Sequence, residues 1–257
     1  MTVDPASPQP ELVLTGERTL PGVPDERYWF ARHVVAYRQA CRRIAGRAVL
    51  DAGCGEGYGL AMLAQAGASR VIGVDVDPTV IAHVTRRYAA ADARIVAVEA
   101  ELGDVPLPDG AADRVVSFQV IEHLWDVPAY LAELRRLARP SAQVWVATPN
   151  RLTFTPGSDA PANPFHVREF TADELRDELS AAGLRVDRML GVRHGKLLRT
   201  AEALLRRPLP EVLAAAPPEA WPRGTRRLVH RAAADWFAVC GGDLDTSLDL
   251  IAVARRR

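Results

Sequence analysis

Cysteine is scarce in this chain. Cys41, Cys54 and Cys240 are the only three in 257 residues, widely spaced and odd in number. That excludes a disulfide framework and fits a reducing compartment. There is no Cys-x-x-Cys pair and no His/Cys cluster to suggest zinc. Glu122, His123 and His166 are residue types that bind divalent metals, but no ligand spacing argues for a site there, so no metal is expected. Net charge is also missing, with 32 basic residues against 32 acidic. Nothing in that balance draws a polyanion, and a nucleic-acid partner is not expected. No apolar run approaches the length of a membrane span, so no stable membrane insertion is expected. Residues 1–10 are polar and proline-rich, without the basic and apolar regions of a signal peptide. A soluble cytoplasmic protein is the resulting expectation. No internal repeat is visible. Arginine greatly outnumbers lysine, which reflects GC-rich coding more than chemistry.

What the chain does have is one dense stretch, Ala48-Val49-Leu50-Asp51-Ala52-Gly53-Cys54-Gly55-Glu56-Gly57-Tyr58-Gly59. A short apolar run ends in an acid, glycines follow, and Leu60, Met62, Leu63 and Ala64 begin a helical stripe. Strand, tight loop and helix form the first unit of a doubly wound α/β sheet. Glycines there permit positive φ and let the backbone pass close to a ligand. A dinucleotide fold wants Gly-x-Gly-x-x-Gly at this point, but the third glycine of that pattern falls on Tyr58. Glu56 inside the turn would repel a pyrophosphate. Asp51 and Glu56 instead suit a ligand with a cationic part, such as the α-amino group of S-adenosylmethionine (SAM).

The rest of the chain continues the same architecture. Residues 1–10 read as a disordered tail and 11–46 as an N-terminal segment with a helix. On that helix Phe30, Val34, Tyr37, Cys41 and Ile44 form the apolar stripe, and Gly46 ends it. Arg70 to Asp75 is a second buried strand. Asp75, 22 positions after Gly53, is placed to accept hydrogen bonds from ribose hydroxyls; NAD and SAM both carry such a ribose. Asp77-Pro78 opens a helix. Arg94 to Val98, Asp113 to Phe118 and Ala142 to Ala147 are further strands. Thr171-Ala172-Asp173-Glu174 is a capping box starting a helix. Leu184 to Leu190 is a sixth strand and Ser247 to Ala254 the last. Residues 47–190 with 247–257 thus form the core domain. Residues 191–246 form an insertion with a helix around Arg226 to Val239. The expected fold is a Rossmann-like α/β sheet of seven strands, mostly parallel with an antiparallel last strand.

Motif by motif, the chain resembles the class I SAM-dependent methyltransferases. The combination of DAGCGEG, VIGVD, LPDG followed by VVSFQVIEHL, and VATPN carries that resemblance. TGERTLPG, FQVIEHLWD, TPNRLTF, NPFH-RE and SLDLIAVA are similar to actinobacterial methyltransferases linked to 6-O-methylglucose lipopolysaccharide synthesis. The resemblance implies SAM as cofactor, held by Asp51, the loop from Gly53 through Cys54, Gly55 and Glu56 to Gly57, Asp75 with Val76, Glu101 with Leu102, and Gln119. It implies a sugar hydroxyl as acceptor, on a carbohydrate or glycolipid, and an insertion that covers the acceptor pocket. A lipid or quinone-like phenol is the alternative acceptor, and an NAD-dependent oxidoreductase the alternative of another class.

Methyl transfer to a sugar hydroxyl needs help in removing the hydroxyl proton, so histidines and acids beyond strands four and five are the catalytic candidates. His123 follows the fourth strand beside Glu122. His166 lies in the long stretch after the fifth strand, where no regular pattern appears and function is often housed. His194, at the start of the insertion, is a lesser candidate. His33 reads as a surface residue. Trp125, Phe154 and Phe165 are candidate platforms for a sugar face, and Tyr28, Trp29 and Phe30 read chiefly as core.

Overall fold

The computed structural model describes residues 12, 14, 18–158 and 160–256; the tail expected at residues 1–10 lies outside them. Helix α1 (Arg27–Ala40) precedes β1 (Ala48–Ala52), which the glycine loop joins to α2 (Tyr58–Gln65). Then come β2 (Arg70–Asp75), α3 (Pro78–Val84), β3 (Ile95–Glu99), β4 (Ala112–Phe118), α4 (Val127–Leu137) and β5 (Ala138–Pro149). Next are α5 (Arg151–Phe154), α6 (Ala172–Ala181), β6 (Leu184–His194), α7 (Lys196–Leu205), α8 (Leu209–Ala214), α9 (Arg223–Arg231), β7 (Phe237–Cys240) and β8 (Asp249–Arg256).

The strands lie in the order β3-β2-β1-β4-β5-β8-β6-β7. The first five are parallel. β8 enters antiparallel between β5 and β6, and β7 pairs antiparallel with β6. The central strands are apolar on both faces because both are covered. Val49 and Val71 join one core layer with Leu60 and Val80, while Leu50 and Ile72 join the other with Leu131 and Leu175. Local chemistry agrees with these elements. Asp77 accepts the Thr79 amide at 2.8 Å as the cap of α3, and Thr171 with Glu174 forms the full capping box of α6.

Three expectations change. The sheet has eight strands, not seven, because residues 237–240 extend rather than continue a helix to Val239. β6 runs past Leu190 to His194, and this leaves an edge that Phe237–Cys240 fills with Gly191↔Cys240 through His194↔Phe237 pairing. α9 stops at Arg231, before that strand. The last strand is Asp249–Arg256, shifted from the expected Ser247 to Ala254.

The third change is on the inward face of α1: Tyr28 and Tyr37 are buried as expected, but Ala31, Arg32 and Val35 are buried beside them while Phe30 and Val34 are only partly so. Buried polar partners rotate the helix this way. Arg32 forks onto Asp249 of β8, with Nε–Oδ2 at 2.6 Å and Nη2–Oδ1 at 2.5 Å, and also donates to the Leu248 carbonyl. The Tyr28 hydroxyl bonds His194 Nε2 at 2.6 Å.

Both members of the Arg32–Asp249 pair are 3% exposed. Removing one partner of such a pair leaves an uncompensated charge in the interior. Arg32→Ala should lower the unfolding free energy by about 3–5 kcal/mol, read by urea denaturation. A loss no larger than that of an exposed arginine, such as Arg223→Ala, would contradict the role assigned to the pair.

Candidate active site

β1, β2 and β4 are parallel neighbours, so their carboxyl ends meet along one edge of the sheet. Ligands of open α/β sheets bind at that edge. Asp51, next to last in β1, is fully buried. Its Oδ2 accepts from the Tyr37 hydroxyl at 2.9 Å, and Oδ1, also buried, has no hydrogen-bond partner among the described residues. Burial pushes the Asp51 carboxyl up to about 8. Gly57, at φ +98°, caps α2 in the left-handed region, where a Cβ would come within 2.8 Å of Val84. At Gly55, φ +52°, a Cβ would meet no atom within 4 Å. The loop therefore offers open ground beside an unsatisfied acid.

Asp75 ends β2 and accepts the Gly55 amide at 2.9 Å and the Asp77 amide at 3.1 Å. Burial, opposed by those amides, raises its carboxyl. Val76 beside it is 52% exposed. Glu101 is exposed, and Leu102 packs partly against the second core layer. Gly53 and Cys54 donate their amides to the Val74 carbonyl, tying the loop to β2. Gln119 follows β4 at φ +59°, and its side-chain amide reaches Asp249 at 3.4 Å.

Glu56 departs from its expected role. Its carboxylate is turned to the α3 side, where Tyr88 donates at 2.8 Å and His83 Nε2 lies at 3.0 Å. Its charge is satisfied there, so Asp51 is left as the acid of the turn with an unmet acceptor.

A cavity of about 270 Å³ opens past Gln119, with Trp29, His33, Glu122, His123 and His166 in its wall. Glu122 and His123 sit on the turn that follows β4. The loop after α5 docks onto that turn: the Val167 and Arg168 amides donate to the Glu122 carbonyl at 2.7 and 3.2 Å. That docking brings His166 to His123, with ring centroids 4.9 Å apart and nearly perpendicular. His123 Nδ1 donates to the Phe165 carbonyl at 2.9 Å. His166 Nδ1 donates to Glu169 Oε1 at 2.8 Å, and Asn163 Nδ2 lies 3.1 Å from its Nε2. Glu122 is fully buried. Thr148 donates to its Oε2 at 2.9 Å, and burial pushes the carboxyl up to about 8.

His33, expected at the surface, faces this cavity four residues along α1 from Trp29. The protein packed around its ring holds it down at about 4. The i, i+4 spacing from Trp29 is the signal that could have found it. Glu169 was likewise not anticipated. His194 does not line the cavity; it is buried between Tyr28 and Glu202. Phe154 lines it, whereas Trp125 and Phe165 stand exposed. The wall comes from the N-terminal segment, α1, the turn after β4 and the 149–166 stretch; among the described residues none of 191–246 lines it. That segment instead borders a second cavity of about 540 Å³ with Thr153 and Pro156.

The raised Asp51 carboxyl has a consequence for stability. Between about pH 4, the ordinary range of an aspartate, and pH 8, the folded protein keeps a proton that the unfolded chain has lost. Stability therefore falls as pH rises through that window, and the penalty is complete above it. Asp51→Asn keeps an acceptor for Tyr37 and removes the titration. Its melting temperature should gain on the parent's from pH 5 to pH 8.5; a gap independent of pH would contradict the assignment.

A family profile described as a methyltransferase domain matches residues 50–146, from β1 into β5. A protein of Mycolicibacterium smegmatis, named a probable S-adenosylmethionine-dependent methyltransferase, is 45% identical over 98% of this chain and 99% of its own length. A ubiquinone biosynthesis O-methyltransferase of Methylocella silvestris is 36% identical over 44% of each chain. Among solved structures, the S-adenosylmethionine dependent methyltransferase from Mesorhizobium loti shares the fold. Its TM-score is 0.58 at 18% identity, over 88% of this chain and 98% of that one. The dinucleotide oxidoreductase alternative is set aside by these matches. With the glycine loop, its open acid and the adjoining cavity in place, the chain belongs to the S-adenosylmethionine-dependent methyltransferases.

Proposed function

We propose that this enzyme transfers the methyl group to a hydroxyl of a carbohydrate, on a glucose-containing polysaccharide or a glycolipid precursor. The observation that carries the reading is the cavity beyond Gln119, which gathers His123, His166 and Glu122 with the aromatic rings of Trp29 and Phe154, the latter packed 5.3 Å from the His166 ring. A sugar has hydroxyls along its edges and an apolar C–H face, and such a lining matches both.

Asp51 holds the cofactor's ammonium through its open oxygen, Gly53 to Gly57 give it backbone room, and Asp75 takes the ribose hydroxyls. Val76, Glu101 and Leu102 border the adenine, and Gln119 separates cofactor from acceptor. When bound, SAM supplies a methyl carbon on a sulfonium, whose charge is discharged as an oxygen attacks. The protein's share is positioning, on the order of 7–11 kcal/mol for well-oriented reactants, and assistance to the departing hydroxyl proton. Glu122, His123 and His166 give that assistance, worth roughly 10²–10⁴-fold.

A quinone-like phenol is the second reading, favoured by the likeness to the ubiquinone biosynthesis O-methyltransferase. A phenol loses its proton far more readily than a sugar alcohol. The two readings separate on His123→Ala and His166→Ala. With a sugar acceptor, kcat should fall by roughly 10²–10⁴-fold in each while SAM affinity stays near the parent value. With a phenol, turnover should be largely retained. Mass spectrometry of cellular glycans with and without the protein should show one methyl group lost without it. Unchanged glycan methylation, together with methylation of a phenol by the purified enzyme, would overturn the carbohydrate assignment.

A further inference from the structure

The cavity wall holds more than a pair of bases. Glu122, His123 and His166 each offer one ligand atom, and these atoms all lie within 4.8 Å of one another. Two histidines and one carboxylate are a recurrent donor set for divalent first-row transition metals.

The surroundings of the three side chains point the same way. Each imidazole has its Nδ1–H held by an oxygen: His123 by the Phe165 carbonyl at 2.9 Å, His166 by the Glu169 carboxylate at 2.8 Å. Metal-bound histidines are oriented in this manner, with the far nitrogen fixed by an outer acceptor and the near one left basic. With Nδ1 so engaged, Nε2 is the nitrogen each ring would present to an ion. The independent observation is Glu122. Its side chain is fully buried in the cavity wall, Thr148 holds one oxygen, and Oε1 has no hydrogen-bond partner among the described residues. A buried carboxylate oxygen with nothing to accept is costly. Arg32, the cation nearby in the same wall, is already committed to Asp249. Asn163 Nδ2 lies 3.1 Å from His166 Nε2 and must give way to an ion.

We infer that Glu122, His123 and His166 bind a divalent transition-metal ion, such as Mn²⁺ or Zn²⁺, through Glu122 Oε1 and the two Nε2 atoms. Three protein ligands leave coordination positions open towards the cavity. An acceptor oxygen placed there is oriented, and its proton is more easily released to solvent, so the three side chains give the assistance assigned to them above through the ion rather than as free bases. Glu169 is then a positioning residue that fixes His166 without touching the ion. The ion site stands on the geometry alone; only its role towards the acceptor rests on the reading of the cavity given above.

The test uses the full chain, stripped with chelator, dialysed, and titrated calorimetrically with Mn²⁺ and with Zn²⁺ without cofactor or acceptor. One ion should bind per chain. Glu122→Gln and His166→Ala should each weaken binding by about 10-fold or more, and Glu169→Gln by roughly 10–100-fold, while far-ultraviolet circular dichroism stays unchanged. Should those variants fail to fold, electron paramagnetic resonance of Mn²⁺ in the parent protein decides, since two imidazole nitrogens should couple to the ion. No binding, binding indifferent to these substitutions, or a spectrum without nitrogen coupling would overturn the site. Binding that persists when no glycan is methylated would leave the ion site standing and remove the carbohydrate reading.

Discussion

The buried fork between Arg32 and Asp249 fixes the position of α1, and through it the cavity. The two residues are 217 positions apart. One lies on the helix before the sheet and the other opens β8. Their union seats α1 on the sheet edge, so that Trp29 and His33 face inward beside the residues that follow β4. Asp249 also receives the Gln119 amide, so one carboxylate links α1, β4 and β8. A buried ion pair is weak evidence for stability in itself, since apolar packing often serves as well. Here it sets the direction in which a helix faces, and two cavity residues depend on that.

The two halves of the site differ in their electrostatics. At the glycine loop Asp51 is desolvated and only half satisfied, so a cation entering there meets a carboxyl that gains from losing its proton. In the cavity His33 is held neutral by the protein around it, while His123 and His166 are each fixed in orientation by an oxygen partner. Gln119 lies at the border of the two halves. Its left-handed backbone is pinned by the hydrogen bond its amide donates to the Ala147 carbonyl.

The parallel half of the sheet could be read from the chain because its signals are local. Apolar runs, terminal acids, caps and the glycine loop each act within a few residues, and Asp51, Gly55 and Asp75 fell where their spacing put them. The antiparallel half depends on distant partners. Phe237–Cys240 becomes a strand only because β6 offers an edge as far as His194, and no period in the short segment announces that. The same holds for α1. Its apolar stripe suggested Phe30 and Val34 inward, but Arg32 and Tyr28 found polar partners from the far end of the sequence. Glu56 was misjudged for a related reason: a buried acid can meet its need from Tyr88 and His83 as well as from a ligand. His123 and His166 were visible as residue types. Their meeting was not, because it depends on how the loop amides of Val167 and Arg168 reach the Glu122 carbonyl.

The placement of β8 has a bearing on the order of assembly. It is made after β6 and β7 yet lies between β5 and β6. Until it arrives, those two strands face a vacant slot with unpaired backbone, and Arg32 has no counter-charge in the interior. The nascent sheet must keep that slot unfilled by other chains, a period of exposure to edge-to-edge pairing. The cavity wall at Arg32 and Gln119 leans on Asp249 and so is incomplete until this strand is paired.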